Sequence, residues 1–151
     1  MNKSTLTMLS LLISGLLLSF SSYAQSPREY INAQSAANES DLPFSGAVLV
    51  GDTLYLSGAI GLDENRKIPS DPAAEARNVL NAIKGNLEQA NMTMDDLVSL
   101  QIFCSDVKHY QAFNQVYRTF FSGEFPARAF IGSGALLFDA RFEVQGIAIK
   151  R

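Results

Sequence analysis

Two short apolar runs, Ala47 to Val50 and Thr53 to Leu56, stand on either side of Gly51 and Asp52. A two-residue break that begins with glycine is the mark of a tight hairpin of the II′ kind, because glycine takes the positive φ that other residues resist. From this point the chain is committed to an antiparallel sheet. Both runs are apolar almost without interruption, so both of their faces need cover, one from helices and the other from another subunit.

The cover from helices is written further along. Asp71 followed by Pro72 is an N-cap and first-turn pair. Behind it Ala76, Leu80, Ile83, Leu87 and Ala90 recur at spacings of 4, 3, 4 and 3, one apolar stripe on a helix. Gly85 inside that helix costs about 1 kcal/mol relative to alanine, too little to break it. Thr93 with Asp96 signals a second start or turn, and Val98 to Phe103 follows as a strand. Asp106 opens a second helix, in which Tyr110, Phe113, Tyr117 and Phe120 recur at 3, 4 and 3, a stripe that reads as core rather than as a ligand cage. Pro126 closes that region. Ala127 to Ile131 is a short strand, Gly132 to Asp139 a loop, and Ala140 to Lys150 the last strand. Ahead of the hairpin, Gln25 to Leu42 is polar and extended, with part of it able to pair as an edge strand. The predicted order is two strands, helix, strand, helix, two strands, in a single domain over 25–151.

Residues 1–24 read as a signal peptide. Lys3 is a short basic start, Met8 to Phe20 is apolar but too short to span a bilayer comfortably, and Ser22 and Ala24 place small residues where a signal peptidase reads. The expected mature protein is exported, in the periplasm, with no attachment to the membrane. Loss of Lys3 with the leader takes the net charge from −3 to −4. A field of that sign repels phosphate backbones and argues against a nucleic-acid partner. Cys104 is the only cysteine, so an intrachain disulfide is impossible even in an oxidising compartment. Its apolar neighbours Leu100, Ile102 and Phe103 suit a buried structural thiol better than a nucleophile.

Several chemistries can be set aside. One histidine and one cysteine cannot build a nitrogen and sulfur metal shell. Gly58 to Gly61 lacks the lysine and the spacing of a phosphate loop. His109 has no serine or cysteine partner near it and reads as a surface or capping residue. What remains is C-terminal. Arg128 opens a short apolar strand, where a charge is out of place unless it faces a cleft or a partner. Glu143 interrupts the last strand, and on alternation it shares a face with Arg141 and Gln145 while Phe142 and Val144 point the other way. Taken alone, these charges could equally form a salt bridge or a solvated strand face.

A family resemblance gives them a task. Pro126, Ala127, Arg128, Ala129, Phe130 and Ile131, then Gly134, Leu136, Phe142, Glu143 and Val144, resemble the C-terminal signature of the RidA family, also called YjgF. Leu56, Ser57 and Gly58 with Ile60 and Gly61 resemble its Ser-Gly segment, and Asn114, Tyr117, Phe120 and Phe121 its second-helix pattern. The resemblance runs from about Tyr30 to Lys150. It implies an α+β, chorismate mutase-like fold, a mixed β-sheet with two helices packed on one face, assembling as a homotrimer with clefts between subunits. It also implies hydrolysis of reactive 2-imino acids and their enamine tautomers, such as 2-iminobutanoate and 2-iminopropanoate, to 2-keto acids and ammonia, with no cofactor.

By position, Arg128 matches the arginine that holds the substrate carboxylate, a task suited to a planar fork of donors. Glu143 matches the acid that positions the attacking water. Gly58, beside Ser57, matches a backbone contact to the substrate, and Asn114 a polar position of the cleft. The chain also departs from the family pattern. Phe44 stands where deaminase members often carry a tyrosine, Phe130 where many carry a cysteine, and Ala59 where glutamine is frequent. These changes bear on the preferred side chain and on turnover, so the alternative reading is a binding protein that captures small 2-keto acids without converting them. A ribonuclease, a label some relatives bear, fits poorly with a sequence pI of about 5.1 and one histidine.

Overall fold

The computed structural model describes residues 27–31 and 42–151; the expected signal peptide over 1–24 lies outside them. The hairpin forms as predicted. Strands β2 (Ala47–Val50) and β3 (Thr53–Ile60) pair with Val50 opposite Thr53, and Gly51 takes φ 59° while Asp52 stays out of the positive region, the II′ pattern. Strand β1 (Arg28–Ile31), from the polar lead-in, adds antiparallel to β2 as an edge.

Helix α1 (Pro72–Gln89) starts where its cap demands, the Asp71 carboxylate accepting from the N–H groups of Ala73 and Ala74 at 3.1 and 3.2 Å. Its stripe Ala76, Leu80, Ile83, Leu87 and the following Ala90 is buried throughout. Strand β4 (Leu97–Cys104) follows a short 3-10 turn over Met94–Asp96, where Thr93 and Asp96 form a capping box. The second helical region is less regular than its periodicity predicts. A 3-10 turn, Val107–His109, precedes α2 (Tyr110–Tyr117), and another, Arg118–Phe120, ends it. Strands β5 (Ala127–Gly132) and β6 (Phe142–Ile149) complete the chain.

The sheet runs in the order β1-β2-β3-β6-β4-β5, antiparallel except for the parallel pair β4 and β5. The crossovers β3-α1-β4 and β4-α2-β5 advance in the same direction across the sheet, and right-handed connections then place both helices on one face. Between helices and sheet lies the core, with Leu54, Leu100, Ile102, Phe113, Phe142 and Val144 fully buried. Gly146, in the central strand, lets β4 close up: a Cβ there would stand 2.6 Å from Leu100 Cδ2 and 2.7 Å from the Ser99 carbonyl oxygen. The opposite face of the sheet carries Tyr55, Val98, Ile147 and Ile149, all exposed in the single chain. No helix among the described residues is long and apolar enough to cross a membrane.

One sequence expectation is corrected. The last strand begins at Phe142, not Ala140, and Arg141 does not share the Glu143 face. Glu75 of α1, fully buried, claims it: the carboxylate accepts from the Arg141 N–H (2.6 Å), the Phe142 N–H (3.1 Å) and the Arg141 guanidinium (2.7 Å). A buried carboxylate needs this full set of partners, and taking them fixes where β6 starts. Cys104 is the buried thiol expected, its Sγ donating to the Asp106 carbonyl at 3.1 Å and its pKa raised by burial.

Candidate functional site

Strand β5 is the sheet edge opposite β1, and its register decides what Arg128 faces. Arg128 pairs with Leu100 and Phe130 with Ile102, so both share the face of those core residues and point under α2. The Arg128 stem covers apolar surface there while the head reaches a cavity at the rim. Its Nη1 donates to Asn114 Oδ1 at 2.7 Å, and its guanidinium carbon sits 4.6 Å from the Tyr117 ring centroid and 6.0 Å from that of Tyr110. Stacking on aromatic faces holds the fork flat.

The cavity, of about 180 Å³, lies between α2 and the turn before β5. Tyr110, Asn114 and Tyr117 line it from the helix, Phe125 and Pro126 from the turn, and Arg118 and Arg128 complete the lining. Among the described residues no carboxylate lines it and Arg128 has no ion-pair partner. The Tyr117 hydroxyl is buried and has no hydrogen-bond partner among the described residues, and burial raises its pKa against the pull of Arg128. A half-buried cation held by an amide beside one small cavity makes a place for an anion with hydrogen-bonding oxygens.

Glu143 belongs to a second cluster. On β6 it pairs with Ile60 on one side and Phe103 on the other, on the face away from Phe142 and Val144. Between Leu56, opposite Gly146, and Ala59, opposite Val144, strand β3 spends one residue more than β6, a bulge. The bulge brings Gly58 against Glu143: a Cβ at Gly58 would collide with Oε1 and lie 3.1 Å from Cδ. Ser57 ties the preceding segment to the same place, its Oγ donating to the Ser45 carbonyl at 2.6 Å and its N–H to that of Gly46 at 3.0 Å. Phe44, next along, is 52% exposed.

The residues singled out in the sequence thus fall into two groups. Arg128, Asn114 and Phe130 gather on the helix side of β5, where the Phe130 ring meets Tyr110 and Phe113 edge-on at 5.0 and 5.7 Å. Gly58 and Glu143, with Ser57 beside them, gather on the open side of β3 and β6, and Phe44 is an exposed ring next to Ser45, whose carbonyl Ser57 bonds. Strand β4 and the thickness of the sheet separate the two, so Arg128 and Glu143 do not meet within one chain. Sequence reasoning assigned the aromatic stripe of α2 to the core. Phe113 and Tyr117 are core and Phe120 packs against it, but Tyr110 is exposed; Tyr110 lines the cavity, Tyr117 borders it as well, and so do Arg118, Phe125 and Pro126. The available signal was two hydroxyl-bearing rings bracketing an asparagine at positions i, i+4 and i+7 of one helix face.

Comparison with known proteins agrees with this architecture. The family described as Endoribonuclease L-PSP matches residues 34–150. Among solved structures, the chain is similar to YEO7 from yeast at 30% identity, covering 83% of this chain and 100% of that one, with a TM-score of 0.74. It is similar to RidA from an Antarctic Psychrobacter at 29% identity, covering 78% and 94%, with a TM-score of 0.70. Escherichia coli TdcF, solved with bound serine, is 25% identical over 73% of this chain and 90% of that one, with a TM-score of 0.70.

Proposed function

Since the chain belongs to the Endoribonuclease L-PSP family, the family that holds the RidA proteins, we propose that it hydrolyses 2-imino acids to 2-keto acids and ammonia in a cleft between subunits. One observation carries the reading: Arg128 is a half-buried guanidinium with no carboxylate partner among the described residues, poised beside an acid-free cavity. A cation held there without a counter-ion suits a ligand that brings one. The serine bound to TdcF is such a ligand, a small molecule with a carboxylate.

In this reading the substrate carboxylate lies on Arg128, with Asn114 holding the guanidinium fork. Glu143 of a second copy, brought in over the open sheet face, takes a proton from water as the water oxygen bonds to the imine carbon. The carbinolamine so formed receives that proton on nitrogen; as the C–N bond breaks, its hydroxyl gives the remaining proton to Glu143, C=O forms, and ammonia departs from the keto acid. An enamine first takes a proton on carbon to become the imine. Because a protonated imine is already electrophilic, orientation and one acid-base group suffice. The exposed apolar residues Tyr55, Val98, Ile147 and Ile149 would be covered in a homotrimer. Export by the segment 1–24 remains part of the proposal. Ribonuclease activity is not carried over from the family description, because the protein is acidic and has one histidine.

The test is semicarbazone trapping or ammonia release with freshly generated 2-iminopropanoate. Arg128→Ala should lose about a hundredfold in kcat/KM, roughly 2.7 kcal/mol of transition-state binding. A rate equal to buffer for both proteins would reject the enzyme. The second reading, capture without turnover, is favoured by the Phe130 ring filling the space beside Arg128. It predicts thermal protection by 2-ketobutyrate, lost in Arg128→Ala, with hydrolysis at background.

A further inference from the structure

The cavity beside β5 holds two guanidinium groups. Arg118, directly after α2, places its guanidinium carbon 5.9 Å from the centroid of the Phe125 ring, and Arg128 lies 4.6 Å from that of Tyr117. The Tyr117 and Phe125 rings are themselves stacked, 5.8 Å apart and 25° from parallel. The four side chains form one run, cation, ring, ring, cation, along a single wall. Among the described residues Arg118, like Arg128, takes part in no ion pair, and the cavity lining has no acid to neutralise either. The two cations differ in setting: Arg128 is half-buried and held by Asn114, whereas Arg118 is exposed.

Two like charges facing one small cavity repel each other, and a ligand with a single carboxylate answers only one of them. We infer that the preferred substrate carries two carboxylates. It is a 2-imino dicarboxylic acid whose carboxylate next to the imine lies on Arg128 and whose distal carboxylate lies on Arg118. A volume of about 180 Å³ suits a metabolite well below drug size, such as 2-iminosuccinate or 2-iminoglutarate. The inference rests on the hydrolase reading, and its reaction balances in the same way. The imine C=N bond is replaced by C=O from one water, the nitrogen leaves as ammonia, and no electron is gained or lost. Arg118 is then a specificity residue that touches the end of the substrate remote from the reacting carbon.

The experiment compares kcat/KM for 2-iminoglutarate and 2-iminopropanoate, each generated in place by an amino acid oxidase and trapped as the semicarbazone. The full protein should favour the dicarboxylate about tenfold. Arg118→Gln should lower that ratio about tenfold, and Arg118→Lys, which keeps the charge but not the fork, should lower it less. Circular dichroism checks that the variants, altered at an exposed side chain, remain folded. Hydrolysis of both imines without preference, or a ratio unmoved by Arg118→Gln, would overturn the inference and leave the hydrolase standing. If neither imine is hydrolysed the hydrolase reading fails, and calorimetry with 2-ketoglutarate against 2-ketobutyrate decides the dicarboxylate preference. Tighter binding of 2-ketoglutarate that Arg118→Gln abolishes supports the inference, and equal binding rejects it.

Discussion

Replacing Gly58 with alanine separates the catalytic argument from the fold. Gly58 has no positive φ, so the backbone accepts alanine without strain. The obstacle is the new methyl, which collides with Glu143 Oε1 and lies 3.1 Å from Cδ and 3.4 Å from Cγ. Carbon contacts settle at about 3.5–4.0 Å, so Cγ needs almost no adjustment and the carboxylate must swing by about 1 Å or more. Glu143 is half-exposed and its side chain has no hydrogen-bond partner among the described residues, which makes the swing cheap, about 0.5–1.5 kcal/mol for an off-rotamer torsion. Loss of glycine's freedom in the unfolded chain returns about 0.4–1 kcal/mol. Net stability should therefore stay within about 1 kcal/mol, read as the urea midpoint at fixed protein concentration. Activity should not survive so well. A displacement of about 1 Å in a positioning group costs on the order of a hundredfold, or about 2.7 kcal/mol, in kcat/KM for 2-iminopropanoate. A folded Gly58→Ala protein with the full rate would refute the assignment of Glu143 to the attacking water. An unfolded one would refute the claim that Glu143 is free to move.

Glu75→Ala should cost about 3–5 kcal/mol in urea unfolding, because it takes the counter-charge from the Arg141 guanidinium, which keeps only the Pro69 and Ser70 carbonyls, and strands two backbone N–H groups at the start of β6. Arg141→Ala should cost clearly less, since that side chain is 25% exposed and Glu75 keeps both backbone donors; equal losses would contradict the geometry. Burial raises the Cys104 pKa in the folded state, so above the unfolded thiol value of about 8.5 the unfolded chain releases a proton that the native chain keeps. The thiol's share of stability is full below that value and falls as pH rises from it through the folded value. Urea midpoints from pH 7 to pH 10 should decline less steeply for Cys104→Ala, and a thiol reagent at neutral pH should react only as the protein unfolds.

What could be read in the sequence was local. The Gly51 turn, the Asp71 cap and the buried stripe of α1 each depend on residues within a few positions of one another, and all formed as expected. Arg141 misled for the same reason. Strand alternation placed it beside Glu143, whereas a carboxylate 66 residues away in sequence holds it outside the strand. The aromatic stripe of α2 misled in part, because periodicity names a face and does not say whether that face ends in core or at a cavity.

The sequence by itself determined which segments become strands and helices, the buried state of Cys104, and the presence of one arginine and one glutamate where a chain of this composition should not waste them. Tertiary structure alone decided that β6 inserts between β3 and β4, that β5 lies at the edge, and that Arg128 and Glu143 therefore occupy opposite faces of one sheet. The reason is physical. Propensity, capping and periodicity act over a turn or two, whereas strand order and register follow from which distant surfaces exclude water together.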